Sequence, residues 1–206
     1  MRRKGEHEEI VFMVDGIALC FVLSLLTRKK IQRHSFDFSS IANTVFEAAD
    51  RESASVFFVG GTDCEVETFA KFVAEKYKNI TLSGYSNGFV TQAELREVAK
   101  RISHNRVDLV IVSMGAGAQE DFLRLLREYS YNGRAFTSGG FIRQVSTAGR
   151  FEYYPKFIKK LGLRAFYRMF REPHTISRYL FEYPKNLVKV LFFYISGRLD
   201  VEVLND

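Results

Sequence analysis

An aspartate beside a glycine is the first place in this sequence where chemistry could be done. Asp15 follows an apolar run over residues 9–14, which predicts a short strand, and Gly16 comes directly after it. A carboxylate at the end of a strand can accept a proton from an attacking hydroxyl group, and the glycine leaves room for a substrate. The alternative is an aspartate that only caps a turn or a helix.

The second place is the stretch over residues 107–128. It predicts a buried strand, then a turn containing Gly115 and Gly117, then a helix from residue 118. Small residues at such a junction let the backbone approach a phosphate, although any tight strand-to-helix turn has the same pattern. Gln119 could hydrogen-bond a sugar or the amide edge of a base. Glu120 could accept hydrogen bonds from sugar hydroxyls or only complement the helix dipole.

Cations are the third group of interest. Arg33 could bind a diphosphate through two parallel hydrogen bonds, or could be an ordinary solvated side chain. Residues 150–198 contain 11 Lys or Arg and 3 Glu, together with 13 aromatic residues. A solvated helix face is the usual explanation of such charge, but the interleaved aromatics favour an anionic partner: lipid headgroups, a lipid-linked diphosphate or nucleic acid. The cluster comprises Lys159, Lys160, Arg164, Arg168, Arg171 and Arg178.

Strands that alternate with helices would have to position these residues. Strands are predicted at residues 9–14, 54–59, 78–85, 108–112 and 134–137, and helices at 17–26, 41–51, 65–77, 92–103 and from 118. We expect Ser39 or Ser40 to cap the second helix, and the apolar first helix to be covered on most sides. The alternation predicts an α/β fold with a Rossmann-like, mostly parallel sheet and helices on both faces. Glycine turns would then lie at the carboxyl ends of strands, where such sheets bind ligands, at Gly16, Gly60, Gly61, Gly115, Gly139 and Gly140.

Composition narrows the class of protein and its division into domains. A hydrophobic fraction of 47% and a charged fraction of 26% are typical of a folded chain, and the apolar run over residues 17–26 is too short to cross a bilayer. The two cysteines and four histidines have no metal-type spacing, so no metal is expected. The change to basic, aromatic-rich helical segments predicts a Rossmann-like domain over residues 1–150 and a C-terminal helical appendage over 151–206.

Several short motifs, taken in order, carry a resemblance to a known family. They are Val14-Asp15-Gly16-Ile17, Phe58-Val59-Gly60-Gly61, Asn87-Gly88-Phe89, Met114-Gly115-Ala116 with Gln119-Glu120, Gly139-Gly140, Leu161-Gly162-Leu163 with Tyr167-Arg168, Glu172-Pro173 and Arg178-Tyr179. Their order and spacing over about residues 10–191 resemble the WecG/TagA/CpsF glycosyltransferases. Each motif alone is weak, but together they are specific.

The resemblance implies a metal-independent, inverting enzyme without a cofactor. It would move N-acetylmannosamine, its uronate or a hexose from a UDP-sugar to a polyprenyl-diphosphate-linked acceptor, in the synthesis of cell-surface polysaccharides. The enzyme would be cytoplasmic and peripheral on the inner face of the cell membrane. It would contact an anionic membrane surface and would bind no nucleic acid, and a homo-oligomer is a possible state that the sequence leaves open.

The resemblance implies that residues 1–150 bind the nucleotide sugar and that residues 151–206 bind the membrane or the acceptor, and it also implies a role for individual residues. Asp15 corresponds to the catalytic base of the family, and Arg168 and Arg178 to arginines that bind the diphosphate or the acceptor. The donor would be held by Arg33, Gly60, Gly61, Gly88, Gly115, Gln119 and Glu120.

Departures from the family pattern leave alternatives open. Family members have a strand ending in a Thr-Pro-Asn type motif that joins the active site, and residues 1–9 do not contain it. Gly117 and Ala118 stand where many members have Pro followed by Lys or Arg. One alternative is a non-catalytic relative that binds a nucleotide sugar or an anionic membrane. A weaker one is a nucleic-acid-binding protein that uses the basic tail.

Overall fold

The computed structural model describes residue 11 and residues 13–149, 158, 163–171, 173 and 176–198. Its strands are β1 (Ser55–Gly60), β2 (Thr81–Ser86), β3 (Leu109–Ser113) and β4 (Arg134–Thr137). Its α-helices are α1 (Ile17–Thr27), α2 (Ile41–Arg51), α3 (Asp63–Lys76), α4 (Gln92–His104), α5 (Ala118–Glu128), α6 (Phe141–Ala148), α7 (Arg164–Arg171) and α8 (Tyr183–Ile195). A π-helical segment, Arg178–Glu182, leads into α8.

The four strands of the described residues form one parallel sheet in the order β2-β1-β3-β4. In the central pair, Val56 lies opposite Leu109 and Gly60 opposite Ser113. From β1 the chain continues to β2, towards one edge of the sheet, and from β3 it continues to β4, towards the opposite edge. The carboxyl ends of β1 and β3 are therefore the point where the connections diverge, which is where open α/β sheets bind their ligands.

Alternate side chains of the central strands build two apolar cores, one on each face of the sheet. Val56 and Phe58 join the core that includes α2, α3 and α6. Phe57 and Val59 join the core that includes α4 and α5. Every residue of β3 is buried, as expected for a strand covered on both faces. The predicted α/β fold with a Rossmann-like parallel sheet and helices on both faces is confirmed.

The chain divides into two compact units, one of residues 36–155 and one of residues 1–35 with 156–206. The first unit contains the whole sheet. In the second, α1 packs against α8, and the hydroxyl of Tyr194 donates a hydrogen bond to the carbonyl of Leu26 at 3.0 Å. The domain bounds predicted from the sequence, 1–150 and 151–206, stay predictions. The functions expected of the two predicted domains stay predictions.

The strand predicted immediately before Asp15 is not formed by the residues that the structure describes there. Val11, Met13 and Val14 lie outside any strand, and the rest of residues 9–14 lies outside the described residues. The carbonyl of Val14 accepts hydrogen bonds from the His34 backbone N–H at 3.0 Å and from Cys20 Sγ at 3.7 Å. Asp15 is therefore positioned by local contacts within residues 14–34 and not by pairing with a strand of the sheet.

Two further expectations need correction, and one helix was missed. Ser40 occupies the N-cap position of α2, but its side chain makes no capping hydrogen bond, so the predicted serine cap is wrong. The helix α6 was not predicted, because its eight residues follow the Gly139-Gly140 turn without a capping signal. The apolar helix α1 is not covered on most sides, since Phe21 and Leu25 are exposed. None of the helices within the described part of the chain has both the length and the apolarity needed to span a bilayer.

Candidate active site

Three of the predicted glycines meet at the carboxyl end of β1. Gly60 lies so close to β3 that an added Cβ would be 2.1 Å from the carbonyl oxygen of Ser113. A Cβ on Gly88, in the turn after β2, would be 3.0 Å from Gly60 Cα. The Gly88 N–H also donates to the carbonyl of Gly61 at 2.8 Å. The turns after β1 and β2 therefore pack backbone against backbone and form one floor at the edge of the sheet.

The turn after β3 is tied to the turn after β4 by two polar side chains. Ser113 is buried, and its Oγ donates to the carbonyl of Gly139 at 2.7 Å and accepts from the Ile142 N–H at 3.1 Å. The Gly139 N–H donates to Gln119 Oε1 at 3.1 Å. Gly139 is thus held through both of its backbone polar groups, which fixes the turns after β3 and β4 relative to each other before any ligand binds.

Gln119 and Glu120 interact with each other as well as with the loops. Gln119 Nε2 donates to Glu120 Oε1 at 2.9 Å, and the other oxygen of Glu120 accepts from the Gly117 N–H at 2.5 Å. Glu120 therefore satisfies a backbone donor at the start of α5, as an acidic residue in a first helical turn commonly does. Both side chains shape the turn that contains Gly115, while their direct contact with a donor stays a prediction.

An ion pair between α3 and α6 borders the same floor, and the sequence did not predict it. Arg143 Nε donates to Glu65 Oε1 at 3.0 Å. Glu65 Oε2 accepts from the Thr62 N–H at 2.8 Å, and Ser146 Oγ donates to the Glu65 carbonyl at 2.6 Å. Burial acts to raise the pKa of Glu65, but the hydrogen bond from Thr62 and the guanidinium of Arg143 outweigh it, so the pKa of Glu65 is lowered.

An exposed aromatic ring stands where the turn after β2 leaves this floor. Asn87 Nδ2 donates to Asp63 Oδ1 at 2.8 Å, and Asn87 Oδ1 accepts from the Phe89 N–H at 2.9 Å. These bonds fix the turn that carries Phe89, whose ring is 75% exposed. A fixed, exposed aromatic face is suited to stacking on a nucleobase.

In the other compact unit, Asp15 and Arg33 form a pair. Arg33 Nε donates to the Asp15 carbonyl at 2.6 Å, and Arg33 Nη2 donates to Asp15 Oδ1 at 2.5 Å. The Asp15 side chain is still 63% exposed, and its Oδ2 makes no hydrogen bond to a described residue. The pKa of the neighbouring Cys20 thiol is raised, mainly because the thiol is buried, so this cysteine is held in its neutral form. The pair offers an oriented carboxylate on a largely exposed side chain.

The remaining predicted residues lie in the C-terminal helices. Arg168 is part of α7 and Arg178 begins the π-helical segment, but their side chains lie outside the described residues. The helices around them expose large apolar side chains, namely Phe166, Phe170, Leu180 and Phe181. Among the residues that the structure describes, no three His, Cys, Asp or Glu side chains are grouped as metal ligands.

This chain is similar to known glycosyltransferases over most of its length. The model of the glycosyl transferase WecG/TagA/CpsF family matches residues 6–198. A UDP-Gal:alpha-D-GlcNAc-diphosphoundecaprenol beta-1,4-galactosyltransferase of Shigella boydii is 31% identical over 178 residues, which cover 86% of this chain and 74% of that protein. An N-acetylglucosaminyldiphosphoundecaprenol N-acetyl-beta-D-mannosaminyltransferase of Bacillus subtilis (strain 168) is 27% identical over 177 residues, which cover 86% of this chain and 66% of that protein. The chain thus spans about two thirds to three quarters of these relatives.

Proposed function

The chain belongs to the WecG/TagA/CpsF glycosyltransferase family, and we propose that it transfers a hexose or N-acetylhexosamine residue from a UDP-sugar to a polyprenyl-diphosphate-linked acceptor. The relatives act, by their names, on GlcNAc carried by diphosphoundecaprenol, one with galactose and one with N-acetylmannosamine. The observation that carries the proposal within the structure is the glycine floor at the diverging ends of β1 and β3. No single sugar is favoured by the described residues.

The donor would bind at the glycine floor of the sheet unit. A Cβ on Gly60, Gly61 or Gly88 would meet Ser113, Glu65 or Gly60, so these glycines let the strand end and the two turns pack tightly enough to form the floor. Phe89 offers a face for the uracil ring, and Gln119 keeps the turns after β3 and β4 together. Arg33 was assigned to the donor by resemblance, and its bonds to Asp15 favour a second role in orienting that carboxylate.

Asp15 would act as the general base. Its accessible Oδ2 takes the proton of the acceptor hydroxyl, the freed oxygen bonds to the anomeric carbon of the donor, and the bond from that carbon to the diphosphate breaks to release UDP. A single displacement of this kind inverts the anomeric centre. Arg168 and Arg178 would offset the negative charge that develops on the leaving diphosphate. No step of this scheme calls for a cofactor, and the UDP-sugar is a substrate.

A lipid-linked acceptor would bring the protein to the inner face of the cell membrane. The C-terminal helices are suited to that surface, since Phe170 is 84% and Phe181 72% exposed beside a basic excess in the sequence. Apolar side chains can enter the headgroup region while lysine and arginine meet anionic lipids. We therefore propose a peripheral membrane protein, and give no role to nucleic acid.

Release of UDP in the presence of a polyprenyl-diphosphate-linked sugar tests this function. Replacing Asp15 by Asn should lower kcat by at least about 100-fold, since general bases contribute factors of about 100 to 10,000, and should leave UDP affinity nearly unchanged. Asp121→Asn is the matched control, because this exposed carboxylate pairs with Arg124 on the outside of α5. An unchanged kcat in Asp15→Asn would contradict the assigned base. UDP binding without transfer by the natural full-length protein would favour the non-catalytic alternative.

A further inference from the structure

The helix α1 directly follows Asp15-Gly16 and leaves large apolar side chains in water. All but two of its 11 residues are apolar, and none is charged. Cys20 and Leu23 are buried, whereas Ile17, Phe21 and Leu25 are 58%, 70% and 71% exposed. Apolar groups of this size are seldom left open together on one element unless they meet a partner or a membrane.

The exposed side chains of α1 form a single stripe. At about 100° per residue, positions 17, 18, 21 and 25 fall within an arc of about 100°. Position 23 lies on the opposite side of the helix and position 20 lies outside the arc on its flank, and the structure buries both. The helix therefore has a packed face and an open apolar face, although its sequence is apolar all round.

A cluster of cations ends this helix. Arg28, Lys29 and Lys30 follow α1 and are all exposed, and no acidic residue lies between Ile17 and Lys30. Each basic residue near an anionic bilayer surface adds attraction, and an apolar helix face adds insertion among the headgroups. An apolar stripe with a basic end is suited to anionic lipid, whereas a buried protein interface would have to desolvate the three charges.

We propose that α1 lies flat on an anionic membrane surface, with its open stripe inserted at headgroup level. The helix of 11 residues is about 16 Å long, about half of the 30 Å that a span needs. This inference rests on the proposed function, because Asp15 stands at the start of α1. A flat α1 would hold that carboxylate at the depth where the diphosphate of a lipid-linked acceptor lies.

The test uses the full chain with Phe21→Ser and Leu25→Ser combined. Flotation with vesicles that contain phosphatidylglycerol should show binding weakened by at least about tenfold, since each exposed apolar side chain contributes by its buried area. Turnover should fall with a long-chain acceptor in vesicles but stay near the natural value with a short-chain, water-soluble acceptor. Leu82→Ser, an exposed apolar site on β2 in the other unit, is the matched control and should change neither quantity.

A second pair of changes separates charge from insertion. Lys29→Gln with Lys30→Gln should weaken binding to the anionic vesicles by about fivefold for each charge removed, and should leave binding to neutral phosphatidylcholine vesicles unchanged. Equal losses on both kinds of vesicle would overturn the electrostatic part of the proposal.

The remaining outcomes are distinct. Three results would each overturn the membrane contact of α1. The first is unchanged flotation of the variant with both serine substitutions, and the second is loss of its turnover on the soluble acceptor. The third is an altered oligomeric state in sedimentation without altered flotation. A natural protein that floats through α1 but transfers no sugar to either acceptor would instead refute the proposed function and leave the membrane contact standing.

Discussion

The arrangement of the turns after β3 and β4 should depend most on the side-chain amide of Gln119. It accepts from the Gly139 N–H at 3.1 Å and donates to Glu120 Oε1 at 2.9 Å, so it joins the turn after β3 to the turn after β4. Gln119→Leu keeps most of the side-chain volume and removes both bonds. We expect this variant to loosen the two turns without disturbing the cores behind them.

The size of the effect follows from the two lost bonds. Each is worth about 1 kcal/mol net, so the free energy of unfolding should fall by about 2 kcal/mol. That is a sizeable part of the roughly 5–15 kcal/mol that stabilises a typical domain. If UDP binds the joined form of the turns, the same loss sets an upper limit of about 30-fold on the rise in its Kd.

A second substitution separates the two bonds. Gln119→Glu keeps an acceptor for the Gly139 N–H but places a carboxylate oxygen where the amide nitrogen lies, 2.9 Å from Glu120 Oε1. At that distance two like charges repel by about 1.4 kcal/mol even in a water-like dielectric. We therefore expect Gln119→Glu to be about as damaging as Gln119→Leu at neutral pH, although it looks conservative.

Urea unfolding, UDP calorimetry and hydrogen exchange of the Gly139 amide measure these effects, with Gln92→Leu on the exposed start of α4 as the control. The Gly139 amide should exchange up to about 30-fold faster in Gln119→Leu, if about 2 kcal/mol of local closure is lost. Protection of the Gly139 amide equal to that in the natural protein would contradict this expectation, because its N–H would then not depend on Gln119. Normal UDP affinity alongside fast exchange would show that the joined turns do not matter for the donor.

Two further changes test the floor and its border. Gly60→Ala would place a Cβ 2.1 Å from the Ser113 carbonyl oxygen, so it should lower the free energy of unfolding in urea by more than about 3 kcal/mol. Gly115→Ala, with nothing within 4 Å of the added Cβ, should lower it by only about 1–2 kcal/mol. Similar losses in the two variants would contradict the close approach of β1 and β3. Since the pKa of Glu65 is lowered in the folded protein, its ionised form adds stability above the unfolded value of about 4.5, and that stability is lost as the pH falls further. Thermal melts should therefore decline more steeply below about pH 4.5 for the natural protein than for Glu65→Gln, and parallel declines would count against the Arg143 pair.

The fold was predictable because its signals are local. Short apolar runs that are rich in β-branched residues and are followed by glycine, such as residues 109–112, favour buried strands, and the glycine turn and helix that follow each run repeat often enough to imply parallel pairing. The helix α4 was predictable from Thr91 and Glu94, which form the expected capping box. By contrast, α6 follows glycines and carries no cap, so its short pattern could not be told from a loop.

The partners of the site residues were less predictable, because they come from distant parts of the chain. Gln119 and Glu120 were identified by resemblance as donor-binding residues, but no periodicity could show that Gln119 bonds Gly139, 20 residues away. The pair of Arg143 and Glu65 spans 78 residues and left one signal, the Thr62-x-x-Glu65 pattern of a capping box. Sequence patterns fix the element on which a side chain sits, whereas tertiary packing decides which polar group it meets.

The pair of Asp15 and Arg33 shows how that difference bears on mechanism. The resemblance treats the two residues as a base and a donor ligand, which are separate roles, while the structure joins them through Arg33 Nη2 and Asp15 Oδ1. The side chain of Arg33 is 24% exposed and that of Asp15 is 63% exposed, so the arginine is the more enclosed partner and the carboxylate the more accessible one. A guanidinium held at two points fixes one carboxylate oxygen and the backbone behind it. The side chain as a whole stays largely exposed, and a general base needs this combination of fixed orientation and access to the acceptor hydroxyl.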